Sequence, residues 1–429
     1  MKTYINPNFS EWENLCQRKT VPTADLNETV KGIFNDIQKN GDVAVSKYTS
    51  IFEGVSISAF EVSKDEIQKA TELISEELKN AIQIAADNIS KFHSSQKEIP
   101  NKIETTSGVF CWRESRAIET IGIYIPSGTA PLFSTVLMLG IPAEIAGCKN
   151  VIICSPPNKE GQINPAILYA AQLTGITKIY KIGGIQAIAA MTFGTNSISK
   201  VSKIFGPGNQ YVTAAKQYVQ QLGIAIDMPA GPSELLVIAD ETCNPEFVAS
   251  DLLSQAEHGD DSQVILVATS EKIFEKVNEA ILIQKAVLPR ESMVEKALEN
   301  SRAIVVNSID DAINFSNYYA PEHLILAFDD AENKLAQIEN AGSVFIGNYS
   351  CESAGDYASG TNHTLPTNGF AKNYSGVSLD SFVKKITFQK ITANGIQNLG
   401  KTIEIMAEAE QLLAHKNAVS IRLKKLQNE

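Results

Sequence analysis

From Ile121 onward, short β-branched runs alternate with helix-length segments, and this alternation restricts the chain more than any other feature. Such a pattern marks βαβ units, in which parallel strands are covered by helices on both faces. Candidate strands fall at 121–125, 151–154, 179–182 and 203–205. After Ser233 a second series follows at 235–239, 264–268, 303–306, 323–327 and 343–346. Two series imply two doubly wound α/β domains. A chain of 429 residues that is 44% hydrophobic is large enough to bury both cores.

Ahead of these series the pattern is helical. Leu26, Val30, Ile33, Phe34 and Ile37 recur at helical spacing and stop at Asn40-Gly41. Ser63 and Glu66 form a capping box, and Ile67, Ala70, Ile74, Ala81, Ala85, Ile89 and Phe92 read as the stripe of one long helix. The helical N-terminal part is expected to complete the second series, leaving the first inserted between its halves. The expected divisions are an arm at 1–22, a discontinuous α/β domain of 23–119 and 231–380, an inserted α/β domain at 120–230, and a helical C-terminal extension at 381–429. That extension has too little apolar surface for a core of its own, so it is expected to pack on something else, such as a partner subunit.

Composition excludes several classes. With 49 acidic against 37 basic residues the formal charge is −12, which offers no field for a nucleic-acid backbone. Residues 120–143 carry no charge, but Pro126, Ser127, Gly128, Thr129 and Pro131 break the run, so it does not read as a membrane span. The first twenty residues include Glu11 and Glu13 and lack an apolar signal segment, so a cytoplasmic protein is expected. Six cysteines lie far apart without a CxxC pair and read as reduced thiols.

Of five histidines, four sit in polar segments with carboxylates or amides nearby. His93 is the exception and reads as a solvated helix-end residue. In Gln255-Ala-Glu-His258 the three-residue spacing places Gln255 and His258 on one helix face, where they could hold a metal or simply close the helix. Glu322-His323 precedes an apolar run, at a strand edge where a carboxylate beside an imidazole suits proton transfer; an exposed turn is the other reading. The stretch from Ser353 through Asp356 to His363 reads as a loop shaped around a ligand. Glu410 and His415, five residues apart, do not share a face of an unbroken helix. No GxGxxG follows a strand; Gly183-Gly184-Ile-Gln186 and Gly206-Pro-Gly208-Asn209 are the nearest Gly-rich turns.

Together, Tyr124-Ile-Pro, Gly183-Gly-Ile-Gln, Ile204-Phe-Gly-Pro-Gly-Asn, Asp227-Met-Pro-Ala-Gly-Pro-Ser, Leu253-Ser-Gln-Ala-Glu-His-Gly, Tyr319-Ala-Pro-Glu-His-Leu, Ser353-Ala-Gly-Asp-Tyr and Ala414-His-Lys-Asn-Ala-Val resemble the histidinol dehydrogenase family, in family order. The resemblance implies two incomplete Rossmann-like domains, with 120–230 binding NAD. It also implies one zinc ion per subunit held by Gln255, His258, Asp356 and His415, with His323 as general base and Glu322 as its partner. Ser233, His363 and Glu410 match substrate-contacting positions, and Tyr124, Gln186 and Asn209 match positions that touch NAD. Four-electron oxidation of L-histidinol to L-histidine through a bound aldehyde, in a homodimer with shared sites, is the implied activity. Ser127 stands where the family usually has a second glycine. A zinc hydrolase or lyase without nicotinamide is the rival that the missing fingerprint leaves open, and a non-catalytic binding protein would leave the polar histidines without a role.

Overall fold

The structure, a computed structural model, describes residues 1–18, 23–127, 131–229 and 231–428, with side chains omitted at 23–25. The expected boundaries at 22 and 230 lie outside the described residues. Two compact units are present: residues 1–95 with 118–381, and residues 96–117 with 382–429.

Among the described residues fourteen strands form three sheets. In chain order they are β1 (Lys2–Ile5), β2 (Ile103–Thr106), β3 (Val109–Ala117), β4 (Thr120–Tyr124), β5 (Asn150–Ser155), β6 (Lys178–Lys181), β7 (Lys203–Phe205), β8 (Ala225–Ile226), β9 (Glu234–Ala239), β10 (Gln263–Ala268), β11 (Arg302–Val305), β12 (His323–Ala327), β13 (Ser343–Ile346) and β14 (Val383–Ile391).

The larger unit contains two parallel sheets. One has the order β6-β5-β4-β7-β8 and the other β1-β11-β10-β9-β12-β13. Every residue of β9 and β10 is buried. Leu235, Val237 and Ala239 face one core and Leu236 and Ile238 the other, which is why these strands read as unbroken apolar runs.

The N-terminal helices differ from expectation. Leu26, Val30, Ile33, Phe34 and Ile37 join Ile152, Ile185, Ile188 and Val219 in one core, so this region covers the five-stranded sheet rather than completing the six-stranded one. The reason lies in the Gly184–Phe193 helix. It is apolar on every side, so both the sheet and an outer helix layer must cover it.

The long helix expected from Ser63 is two helices, Lys64–Leu73 and Glu76–Ser94. Ile74 is extended, and Ser75 caps the second helix by accepting the N–H of Leu78. The restart moves the buried stripe to Ile82, Ala85, Ala86, Ile89 and His93. His93 is therefore fully buried, with Nε2 3.4 Å from the Asn362 amide, and is not a surface residue.

The smaller unit is an antiparallel sheet, β14-β3-β2, with a hairpin of the helices Ala393–Ala409 and Leu413–Gln427. Gly108 and Gly395 pack so closely that a Cβ on either would strike the other's backbone. Its helical part matches expectation; β14 was not anticipated. None of the described helices is long and apolar enough to cross a membrane.

Candidate active site

Parallel strands deliver their following loops to one edge, and here those loops line a cleft. Nine of the twelve residues singled out in the sequence border it: Tyr124, Gln186 and Asn209 from the five-stranded sheet, and Ser233, His258, Glu322, His323, Asp356 and His363 from the six-stranded one. Gln255 sits behind His258, accepting its backbone N–H at 3.2 Å. Glu410 and His415 belong to the smaller unit, where both are exposed.

His323 opens β12 and is buried. Its Nδ1–H donates to the Glu234 carbonyl at 3.2 Å, a bond that in the neutral ring leaves the lone pair on Nε2, which has no hydrogen-bond partner. Glu322 precedes it, with Oε2 accepting the backbone N–H of Glu234 at 2.8 Å. Residue 234 thus orients both groups through its backbone. Its side chain is fixed in turn by Arg18, whose guanidinium makes a two-point contact with the Glu234 carboxylate at 2.8 and 3.0 Å and stacks over the Tyr319 ring.

Three carboxylates surround the His323 ring: Glu322 and Glu352 lie 3.8 and 3.7 Å from Nδ1, and Asp356 lies 3.7 Å from Nε2. Burial alone would lower the imidazole pKa, but the negative charge of Glu352, Glu322 and Asp356 outweighs it and raises it to about 10, a bias that a cation held by Asp356 would offset, returning the ring to its neutral form. Burial pushes Glu322 up to about 8, within reach of acid–base work near neutral pH, and drives Glu352 well above the usual carboxylate range.

This acidic surplus calls for a cation. Donor atoms of His258, Glu352 and Asp356 lie within 4.8 Å of one another, and the buried Gln255 amide has no partner on either atom. Imidazole, carboxylate and amide donors suit zinc, so Gln255, His258 and Asp356 fit such an ion. Asp356 lies in the helix Glu352–Tyr357, one turn beyond Glu352, where a loop was expected. His363 is held by donating Nδ1–H to the Asp356 carbonyl at 2.9 Å, with Thr135 at 3.1 Å from Nε2.

On the opposite wall, the Tyr124 hydroxyl accepts the Gly184 N–H at 3.1 Å. Gln186 is buried with both amide atoms unpartnered, and Asn209 caps the Gln210–Gln221 helix by accepting the N–H groups of Tyr211 and Val212. The turn after β7 is clamped at Gly206. Its N–H donates to Asp227 at 2.8 Å, its carbonyl accepts from Lys216 at 2.7 Å, and Lys216 and Asp227 form a buried ion pair. Gly206 has φ +119°, and a Cβ there would overlap the Tyr124 carbonyl oxygen. Gly206→Ala is therefore expected to cost about 2–4 kcal/mol of stability, combining backbone strain with overpacking. Denaturant unfolding checks this; a change below about 1 kcal/mol contradicts it.

The sequence reading missed Glu352, Glu234 and Thr135. Glu352 carries a signal: a carboxylate one helical turn before Asp356. Glu234 and Thr135 sit in apolar segments and carry none.

The family model for histidinol dehydrogenase matches residues 16–423. A histidinol dehydrogenase of Bacteroides thetaiotaomicron is 56% identical over 99% of this chain and 100% of its own length, and one of Haemophilus influenzae is 52% identical over 99% and 100%. The solved histidinol dehydrogenase of Elizabethkingia anophelis superposes with a TM-score of 0.98 at 64% identity, covering 100% of this chain and 99% of its own. An acetylating aldehyde dehydrogenase of Geobacillus thermoglucosidasius, at 13% identity and a TM-score of 0.50, shares the fold alone.

Proposed function

The chain belongs to the histidinol dehydrogenase family, oxidoreductases of histidine biosynthesis, and from that premise we propose that it oxidises L-histidinol to L-histidine with zinc and two molecules of NAD. The observation that carries this reading is the buried Glu322-His323 pair, fixed through residue 234 and sharing one cleft with His258 and Asp356 on one wall and Tyr124, Gln186 and Asn209 on the other.

Zinc bound by Gln255, His258 and Asp356, with His415 as the fourth protein ligand, would hold the substrate's nitrogen atoms and orient its alcohol carbon. NAD supplies the hydride acceptor for each oxidation. His323 takes the hydroxyl proton on Nε2 as hydride leaves, giving the aldehyde. Glu322 then withdraws a proton from water as that water adds to the aldehyde. Loss of a second hydride from the hydrate yields the carboxylate of histidine. His363, Ser233 and Glu410 contact the substrate, and retention of the aldehyde protects a reactive intermediate from loss.

Glu410 and His415 serve the neighbouring site of a homodimer in this reading. The helix hairpin that carries them turns at Gln411, which has φ +59°, and exposes Ile405, Met406, Leu412, Leu413 and Ile421, an apolar surface that a second copy would cover.

Purified protein given L-histidinol is expected to reduce two NAD per substrate, followed by absorbance of the reduced cofactor. Absence of NAD reduction with zinc-loaded protein rejects the reading in favour of zinc chemistry without nicotinamide. Chelation is expected to abolish turnover and added zinc to restore it, with metal content measured on the same samples. Full activity in metal-free protein removes zinc from the proposal.

A further inference from the structure

In the five-stranded sheet the chain runs outward from β4 through β5 to β6, then returns to β7 on the other side of β4. Strand order reverses between β4 and β7, which places the dinucleotide crevice at their carboxyl ends. In sheets wound this way, a carboxylate at the end of the second strand binds the ribose hydroxyls of the adenosine half. Here the second strand is β5, and it runs out at Ser155 into Pro156 and Pro157, so that position holds no acid.

A carboxylate reaches the position from elsewhere. Glu53 ends the Asp42–Glu53 helix and converges with Pro156 on Gly183, where an added Cβ would strike both side chains. Glu53 lines the same cleft as Tyr124, Gln186 and Asn209. Burial raises its carboxyl pKa, as expected of an acid drawn into the wall of a cleft. Phe52, beside it in the cleft, is 53% exposed and stacks on Tyr48 at 5.9 Å, leaving an open aromatic face.

We propose that Glu53 binds the ribose hydroxyls of the adenosine half of NAD and sets the preference for NAD over its 2′-phosphorylated form. The proposal rests on the NAD reading above. A diol donates two hydrogen bonds to one carboxylate, whereas a 2′-phosphate placed there would bring anion against anion in a partly desolvated site. The helix containing Glu53 lies some hundred residues before β5, so the acid of the dinucleotide fingerprint is not found in its usual place after the second strand.

The experiment compares kcat/KM for NAD and for NADP, at saturating L-histidinol, in the wild type and in Glu53→Gln and Glu53→Ala. The NAD value is expected to fall about tenfold or more through KM for NAD, as loss of hydrogen bonds to a charged group predicts. KM for histidinol should stay unchanged, and the NADP-to-NAD ratio should rise in both variants. Titration of NADH fluorescence without substrate should show the same weakening, independently of turnover. An unchanged ratio in either folded variant overturns the assignment. Failure of the wild type to reduce NAD at all would instead overturn the reading on which it rests.

Discussion

His323→Asn is expected to lower both oxidations by about 10³-fold, while Glu322→Gln slows chiefly the aldehyde step, by about 10²-fold or more. The division follows from geometry. The Nδ1–H of His323 is committed to the Glu234 carbonyl, so Nε2 is the atom free to take a proton, and each alcohol-to-carbonyl conversion needs that transfer. Glu322 has one oxygen held by the Glu234 N–H and lines the cleft, with a pKa raised by burial to about 8, so a water proton can be taken and returned near neutral pH. Asparagine keeps the volume at 323 and removes the base; glutamine at 322 keeps the accepted hydrogen bond and removes the titrating group. Single-turnover measurements starting from histidinol and from histidinaldehyde separate the steps. Equal loss in both steps for Glu322→Gln would sink the division of roles.

The second large effect is complementation between subunits. Asp356→Ala and His415→Ala proteins are each expected to be inactive, and mixing them under conditions that allow exchange should restore activity. Asp356 is on the larger unit beside His258, whereas His415 is exposed on the helix hairpin of the smaller unit. If His415 completes the neighbour's site, a mixed dimer has one site with both lesions and one with neither. Statistical exchange then makes half the dimers mixed, each half active, so the mixture approaches about a quarter of wild-type activity on symmetry grounds. Mixed dimers that form and stay inactive show that His415 serves its own chain.

Legibility followed burial. Strands β9, β10 and β12 are buried on both faces, read as apolar runs, and lie within a residue of their expected places. The antiparallel strands β3 and β14 interleave charged residues with partly exposed ones and gave no clean period, and β1 is a short edge strand. The error at His93 came from one unrecognised break at Ile74-Ser75, which shifted the register of everything after it. Candidate site residues were visible because polar types clustered where a core was not being built. Glu234 escaped notice because its backbone orients Glu322 and His323, and backbone roles leave no residue signature.

The Arg18 contact also bears on how the molecule is made. Glu234 and the Tyr319 carbonyl that Arg18 grips lie 216 and 301 residues further along, and β1 pairs only with β11, beginning at Lys2 against Arg302. During synthesis this segment therefore has no partner until those later residues have been made. Closing so long a loop comes late in folding, after local βαβ units have formed. The scaffold behind Glu322 and His323 is thus completed by a segment made long before them, and until it docks a newly made chain holds these two residues without the brace that aligns them.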